Sequence, residues 1–294
     1  MRLAWLILGC ATIGCSSPRG TGAPPDMATP APPDAMPIRI IETNVSIAAG
    51  TERYVCQWTT VPQDIYIVKI VAVSPTVVHH SVLSIETNVH PDGSGPCDSF
   101  SSSWQTVFAS GVNSPELDLP NNVAFKISAG QQIVLDLHLL NATQAPIDDV
   151  VAVDVLAASD TSQLQLANAT WAGNVMFTIP SSMQVDGTCT LAQDASLFAI
   201  YPHMHATGAH MTVSLAGSVN KIVWDQDFDP NEQEFGSWAP IPLKQGDQLK
   251  VTCGYSPAGI GKSFGNTSTE EMCFAVSYFT PPIAPAGGTS VCFY

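Results

Sequence analysis

Residues 65–85 read IYIVKIVAVSPTVVHHSVLSI and contain two β-branched runs separated by a short turn. Such runs, bounded by Pro, Ser, Gly or Asn, are typical of β-strands. Similar runs recur as IRIIETNVSI, VAFKI, QIVLDLHLL and VVAVDVL in the first half of the chain, and as NVMFTI, LFAIYPHMHA, HMTVSLA, KIVWD, QLKVTCGY and MCFAVSYF in the second. No long amphipathic helix pattern separates them. The sequence therefore predicts an all-β protein built from antiparallel sandwiches or jelly rolls.

The chain has 294 residues, which is enough for two domains of ordinary size. Polar residues interrupt the strand pattern in AASDTSQLQL, so we expect one β-sandwich over residues 38–160 and a second over residues 161–294. The chain carries 25 acidic and 10 basic side chains, and its net charge is -15. A phosphate backbone repels such a protein, so we expect no nucleic-acid partner.

The amino terminus, MRLAWLILGCATIGC, is typical of an export signal. Its ending Ile13-Gly14-Cys15 resembles a bacterial lipoprotein cleavage box, which predicts removal of residues 1–14 and acylation of Cys15; Cys10 is a second candidate, and a soluble secreted protein is the alternative. The Pro-rich residues 15–37 predict a disordered tether. We therefore expect an exported protein held in the bacterial cell envelope, at the cell surface or facing the periplasm, and in contact with a membrane only through a lipid anchor.

Six cysteines remain in the predicted mature body, and an even number in an exported chain predicts three disulfides. Cys56 and Cys97 are the two in the first half, so the division into two domains pairs them with each other. The four in the second half allow three arrangements; they are Cys189, Cys253, Cys273 and Cys292. A thiolate metal site is the alternative, but the chain lacks the C-x-x-C spacing that such sites use.

Two groups of histidines stand where a β-strand would present them together. His203 and His205 are two residues apart, so on a strand both rings would leave the same face and could bind one ion. In QIVLDLHLL, alternation places an apolar set on the core face and leaves Asp136 and His138 on the other face. That second face is available to a site.

The dipeptide His79-His80 raises a geometric difficulty. Adjacent side chains on a regular strand point to opposite faces, so two such rings can share an ion only if the strand bulges there. The alternative is one buried and one exposed ring. Met272 begins an apolar strand and could simply pack in the core, while His90 and His210 are expected to lie at the surface outside any site.

Taken in order along the chain, these features resemble the copper type II, ascorbate-dependent monooxygenases, the family of peptidylglycine α-hydroxylating monooxygenase and dopamine β-hydroxylase. The resemblance covers about residues 50–294 and implies two jelly-roll domains. It implies an electron-transfer copper held by His79, His80 and His138, and a second copper, at which oxygen and substrate react, held by His203, His205 and Met272. It also implies the pairs Cys56–Cys97, Cys189–Cys292 and Cys253–Cys273.

The ligand chemistry agrees with copper as the metal. Imidazole suits both Cu(I) and Cu(II), and a thioether selects the softer Cu(I), whereas zinc would leave Met272 unexplained. The expected cofactors are two copper ions, with O₂ and with ascorbate or another one-electron reductant as co-substrates. A blue-copper site would need a Cys thiolate, and Cys273 is expected to be bridged and to face away from Met272. A non-catalytic exported protein that binds or buffers copper remains the alternative function.

The sequence departs from the peptide-hydroxylating members of the family at three positions. Where the resemblance places an Arg, an Asn and a Tyr around the second copper site, this chain has Tyr201, Phe274 and Val276. We therefore expect a small uncharged or aromatic substrate rather than a carboxylate-terminated peptide. We also expect Asp136 to orient the ring of His138, because a carboxylate commonly supports a metal-binding histidine.

Overall fold

Four mainly antiparallel sheets form the body of the protein, in a computed structural model that describes residues 36–97, 101, 104–111, 115–283 and 291–293. The predicted signal peptide, Cys15 and nearly all of the predicted tether lie outside the described residues. Strand structure begins at Met36, two residues before the predicted start of the body. The prediction of an all-β protein is confirmed.

Residues 36–166, called here the first half, supply two of the sheets. Their orders are β1-β10-β3-β8-β11, with β7 beside β3, and β5-β2-β9-β4-β6. The strands are β1 (Met36–Ile47), β2 (Glu52–Thr60), β3 (Ile65–Val73), β4 (Val78–Glu86), β5 (Gly93–Gly95), β6 (Trp104–Gly111), β7 (Glu116–Asp118), β8 (Val123–Ile127), β9 (Gln132–Leu140), β10 (Ile147–Ala157) and β11 (Gln165–Leu166). Strand β9 lies between β2 and β4, and both of its faces are buried: Leu135 and Leu137 belong to the main apolar core, and Val134 packs with Cys56 and Trp104 on the opposite face.

Residues 168–293, called here the second half, supply the other two sheets, with the orders β17-β14-β19-β12-β20 and β13-β18-β15-β16. The strands are β12 (Asn168–Asn174), β13 (Gln184–Thr190), β14 (Ala195–His203), β15 (Gly208–Ala216), β16 (Lys221–Asp227), β17 (Gly236–Leu243), β18 (Gln248–Tyr255), β19 (Cys273–Thr280) and β20 (Val291–Phe293). The domain boundary near residue 160 stays a prediction.

One predicted strand is wrong. The run NVMFTI at residues 174–179 looks β-like, but β12 ends at Asn174 and the chain bends immediately after it. Met176 is 90% exposed, whereas Phe177 and Ile179 pack against the core of the second half. The segment lacks a continuous ladder and forms only an isolated bridge between Thr178 and Ser263. Among the described residues, the only helical segment is a single 3-10 turn at Pro257–Gly259, and no helix has the length and apolar character needed to span a membrane.

The two halves pack directly against each other. The indole Nε1 of Trp171 in β12 donates a hydrogen bond to the hydroxyl of Thr106 in β6 at 2.6 Å. Further along β6, the backbone N–H of Ala109 donates to the hydroxyl of Tyr278 at 3.3 Å. A continuous apolar core runs from the first half into the second, where it includes Phe198, Tyr201, Phe274, Val276 and Tyr278.

The three predicted disulfides are present, and each joins separate elements. Cys56 of β2 is bridged to Cys97 in the loop after β5, while the Cys189–Cys292 and Cys253–Cys273 bridges join the two sheets of the second half. The last of these places a buried covalent link directly beside Met272. Disulfides are typical of exported proteins, which agrees with the predicted export.

Candidate metal centres

Three imidazoles converge in the first half, and we call them the first trio: His79, His80 and His138. The pairing between β4 and β9 shifts register between Val78 and His80, so His79 is an extra residue in β4. This bulge removes the strict alternation of a regular strand and lets both adjacent rings face His138. The Nδ1 atoms of His79 and His80 are 3.3 Å apart, and one ring nitrogen from each of the three residues lies within 4.8 Å of the others.

The ring of His138 is held on two sides by β2. Its Nε2 lies 2.6 Å from the Glu52 carboxylate, and the Tyr54 ring stacks on it at a centroid distance of 4.5 Å with an interplanar angle of 7°. A carboxylate accepts hydrogen bonds, so Nε2 carries the proton and Nδ1 has its lone pair free. That Nδ1 is buried and has no hydrogen-bond partner. A metal ion between the three rings would satisfy it.

The predicted partner of His138 was Asp136, and the structure corrects this. The carboxylate at His138 belongs to Glu52, which lies on the neighbouring strand β2. Asp136 pairs across the sheet with Cys56, and its carboxyl group lies 3.7 Å from the sulfur of Cys97. Burial raises the pKa of Asp136 to about 8, so a protonated carboxyl group packs beside the disulfide. Sharing a strand face with His138 is therefore not sufficient for contact.

The second trio is His203, His205 and Met272, and all three side chains are buried. His203 is the last residue of β14, and His205 lies in the turn after it rather than on the strand. Their rings are nevertheless 5.3 Å apart. Met272 directly precedes β19, and its backbone carbonyl accepts a hydrogen bond from the Tyr255 hydroxyl at 2.8 Å.

Gln233 fixes the orientation of His203. The side-chain oxygen of Gln233 accepts hydrogen bonds from His203 Nδ1 at 2.8 Å and from the Tyr201 hydroxyl at 2.9 Å, while its Nε2 donates to the Pro230 carbonyl. His203 therefore carries its proton on Nδ1 and presents Nε2 as a free ligand atom. Gly111 of the first half lies against this support. A Cβ at Gly111 would come within 2.6 Å of the Tyr201 hydroxyl, so a larger residue does not fit.

His205 is held by the segment before Met272. Its Nδ1 donates to the backbone carbonyl of Glu270 at 3.1 Å, which again leaves Nε2 free. The fully buried carboxylate of Glu271 accepts hydrogen bonds from the N–H groups of His205 and Thr207 and from the Thr207 hydroxyl. Glu271 thus links the turn that contains His205 to the strand that begins after Met272.

One comparison with known proteins matches part of the chain. A family model for the C-terminal domain of copper type II ascorbate-dependent monooxygenases matches residues 164–294, a range that contains the second trio. The predicted family is therefore confirmed for the half of the chain that contains the second trio. No curated protein matches the chain.

Two solved structures share little with it. One is a structure of allantoicase, with 9% identity over 76% of this chain and 73% of that chain and a TM-score of 0.21. The other is a protein from Parabacteroides distasonis, with 8% identity over 85% of this chain and 83% of that chain and a TM-score of 0.17. These TM-scores are too low to indicate a shared fold.

The five histidines of the two trios have lowered pKa values, which keeps their rings neutral at pH 7. Burial, together with neighbouring histidines, lowers the pKa of His79 to about 4 and that of His203 to about 3. Burial also lowers the pKa values of His80, His138 and His205, although Glu52 opposes the shift at His138. Since a metal competes with protons for these nitrogens, neutral rings are ready to bind one at pH 7.

The two trios face each other across the contact between the halves. The ring centroids of His80 and His203 are 5.2 Å apart. A cavity of about 20 Å³ lies beside them, which is room for about one water molecule. Its lining combines residues of the first half with residues of the monooxygenase-family domain, among them His80, Ala109, Trp171, Tyr201, Asn266 and Met272. No Asp, Glu, Lys or Arg of the described residues lines it.

The remaining histidines have partners of other kinds. His90 stacks on Trp58 at a centroid distance of 4.8 Å, and His210 lies between Asp225 and Asp227. Neither belongs to the predicted ligand sets. The supporting roles of Glu52, Gln233 and Glu271 were not predicted. Of these three residues, only Glu271 could have been found from its position in the sequence, because it directly precedes Met272.

Proposed function

We propose that this protein is a copper-dependent monooxygenase that inserts one atom of O₂ into a C–H bond of a small organic substrate. The observation that carries the proposal is the pair of facing trios, one of which lies in the monooxygenase-family domain. In this proposal one copper ion is bound by His79, His80 and His138 and the other by His203, His205 and Met272. Electrons come from ascorbate or another one-electron reductant.

The donor atoms support copper. Three neutral imidazoles suit copper in either redox state, and the Met272 thioether favours Cu(I). Two copper ions bound there as Cu(I) would supply two electrons, which together with two protons from solvent and the two electrons of the C–H bond convert O₂ to one hydroxyl group and one water. The unpartnered Nδ1 of His138 and the free Nε2 atoms of His203 and His205 are the ligand atoms that the hydrogen bonds leave available.

The surrounding residues have orienting and shielding roles in this proposal. Gln233 and the Glu270 carbonyl hold the protons of His203 and His205 on Nδ1, so neither ring needs to change tautomer to bind a metal. The ring of Phe274 stacks on His203 at 5.6 Å and meets Trp171 edge-on at 4.4 Å. These aromatic groups exclude water from one side of the second trio, which protects reactive species formed there.

We propose an uncharged or aromatic substrate that carries one hydrogen-bond donor. The lack of charged groups among the described lining residues would leave a substrate carboxylate without a partner, at a cost of several kcal/mol. The side-chain oxygen of Asn266 is buried, has no hydrogen-bond partner and belongs to a lining residue. It could accept a hydrogen bond from a substrate O–H or N–H group.

One observation favours a second candidate, an exported protein that binds copper without turnover. The cavity of about 20 Å³ is too small for an organic substrate. Catalysis therefore requires this cavity to widen, whereas copper storage does not. For either function, we propose that the chain is exported and anchored through Cys15.

Copper analysis combined with oxygen uptake separates the two candidates. Purified protein should bind two copper ions per chain and consume O₂ only when ascorbate and a substrate are both present. A panel of neutral aromatic compounds and carboxylate-terminated peptides should show product only with the former, detected as a mass increase of one oxygen atom from ¹⁸O₂. Two bound coppers without substrate-dependent uptake would identify a storage protein instead, and a preference for the peptides would overturn the proposed substrate class.

A further inference from the structure

The carboxylate of Glu52 contacts both halves of the protein. One oxygen lies 2.6 Å from Nε2 of His138 in the first trio. The other accepts a hydrogen bond from the Ser268 hydroxyl of the second half at 2.9 Å. Ser268 lies four residues before Met272. One side chain therefore connects a ligand of the first trio to the segment that leads to a ligand of the second.

Tyr54 makes the same type of connection. It is two residues from Glu52 on β2, so both side chains leave the same face of the strand. Its ring stacks on His138, and its hydroxyl donates to the backbone carbonyl of Asn266 at 2.8 Å. Two independent hydrogen bonds thus join the support of His138 to residues 266–268.

The segment that receives these bonds is internally tied to the second trio. The hydroxyl and N–H of Thr267 donate to the Glu270 carboxylate, and the N–H of Glu270 donates to the Thr267 carbonyl. The Glu270 carbonyl in turn accepts the hydrogen bond from His205. A displacement of residues 266–268 therefore moves the backbone that orients His205 and precedes Met272.

We infer that Glu52 and Tyr54 form a cross-half clamp that positions the second trio in response to His138. The clamp consists of the contacts of these two residues with His138, Asn266 and Ser268. Its functional meaning rests on the proposed copper sites, while its contacts do not. When metal binding at the first trio fixes the His138 ring, the clamp fixes the segment before Met272. Because such coupling is reciprocal, each bound copper raises the affinity for the other.

The environment of the clamp sets it apart from a surface ion pair. Ion pairs between exposed side chains contribute little, because water screens them. Here the side chain of His138 is 5% exposed and that of Glu52 is 33% exposed. The stacked Tyr54 ring covers one face of the imidazole, so the Glu52–His138 contact is partly shielded. Of the two bonds between the halves, Tyr54–Asn266 is partly buried and Ser268–Glu52 is exposed.

The test removes the bonds between the halves and keeps those to His138. The Tyr54→Phe variant keeps the stacked ring and loses the hydroxyl, and the Ser268→Ala variant keeps Glu52 beside His138. Matched controls are Tyr66→Phe, in the first half only, and Ser263→Ala, whose hydroxyl bonds Thr178 within the second half. Two properties are measured: amide hydrogen exchange of residues 265–272 in metal-free protein, and both Cu(I) dissociation constants by competition with a chelator.

The Tyr54→Phe/Ser268→Ala double variant should exchange these amides about tenfold faster than the controls. It should still bind two Cu(I) ions, but the affinity for the ion that binds second, at either trio, should be about tenfold lower, within the usual range of coupling between sites. Unchanged exchange would overturn the clamp. Faster exchange with unchanged Cu(I) affinities would overturn its coupling to the metal sites. If the wild-type protein bound no copper, the proposed function and the coupling would both fail, and hydrogen exchange would still decide whether the clamp exists.

Discussion

The two trios use the same kind of ring but hold it differently. In the first trio a carboxylate, Glu52, accepts the hydrogen bond of His138. In the second, neutral groups do so, namely the amide of Gln233 for His203 and the backbone carbonyl of Glu270 for His205. A carboxylate partner raises the basicity of an imidazole ligand. The first trio is therefore better suited to Cu(II), and the second, with its thioether, to Cu(I).

Exposure differs in the same sense at two of the three residues of the first trio. His79 and His80 are partly exposed, whereas His138 is 4% exposed and His203, His205 and Met272 are 5%, 7% and 6% exposed. A soluble reductant can approach the first trio more closely than the second. In the proposed function, the first trio would therefore receive the electrons and the second would hold the reacting oxygen.

Two single variants, each of which loses one ligand of one trio, give the strongest test of the different roles proposed for the two trios. His138→Ala and His203→Ala should each bind one copper per chain instead of two, and each should lose substrate-dependent O₂ uptake by at least about a thousandfold, because neither copper alone supplies both electrons. The His138→Ala protein should keep the copper bound through sulfur, which X-ray absorption detects as a Cu–S distance. His90→Ala is the control and should bind two coppers. A His203→Ala variant that retained the Cu–S signal and full uptake would contradict the assignment.

Replacing Gln233 tests whether its amide group supports the second trio alone. Gln233→Ala leaves the His203 Nδ1 proton and the Tyr201 hydroxyl without their acceptor. Loss of such a support lowers metal affinity by about 10–100-fold, and we expect this reduction for Cu(I) at the second trio only. Chelator competition measures both affinities, and Gln226→Ala, on the exposed face of β16, is the control. Equal weakening of both trios would show that Gln233 supports the fold as a whole rather than His203.

The pH dependence of the metal-free protein should reveal the buried rings. Unfolded histidines bind protons near pH 6.5, but the pKa of His79 in the folded protein is about 4 and that of His203 about 3. Between pH 6.5 and 4 the unfolded state therefore binds more protons, so the free energy of unfolding falls as the pH falls. Each such histidine contributes a slope of up to about 1.4 kcal/mol per pH unit.

Urea unfolding of metal-free protein at several pH values measures this slope. Acidic groups add to the slope, so the informative quantity is the difference between the wild type and His79→Asn. The variant should show a shallower slope between pH 6 and 5. Identical slopes would mean that His79 is protonated as readily in the folded protein as in the unfolded one.

The sequence contained the ligands but little of their support. The periodicity of β9 correctly placed His138 away from the core face, and the dipeptide His79-His80 required a bulge in order to share an ion. The register of β4 shows that bulge. These features could be predicted because they depend on neighbours along one strand.

The supporting groups depend on contacts between distant segments. Glu52 is 86 residues from His138, and Gln233 is 30 residues from His203. Gln233 lies in the loop between β16 and β17, where no periodicity marks one residue over another. Asp136 was predicted to orient His138 because it lies two residues away on the same strand face. The pairing of β2 with β9 places Glu52 at His138 instead. The false strand at residues 174–179 has the same origin, since local composition does not show whether a segment has a neighbouring strand to pair with along its length.

His210 provides a reference outside both trios, with the smallest expected effect. The neighbouring carboxylates of Asp227 and Asp225 raise its pKa, opposite to the shift at the buried rings. A raised pKa stabilises the folded state fully below pH 6.5, and this contribution is lost as the pH rises through the folded value. The side chain is 43% exposed, so solvent screening limits the contribution to about 0.5 kcal/mol. In metal-free protein, His210→Gln should lower the free energy of unfolding by this amount at pH 5.5 and by nothing at pH 9. In a separate measurement of metal content, the variant should still bind two coppers. A loss that persisted at pH 9 would indicate packing rather than charge, and a loss of copper would place His210 in the metal chemistry after all.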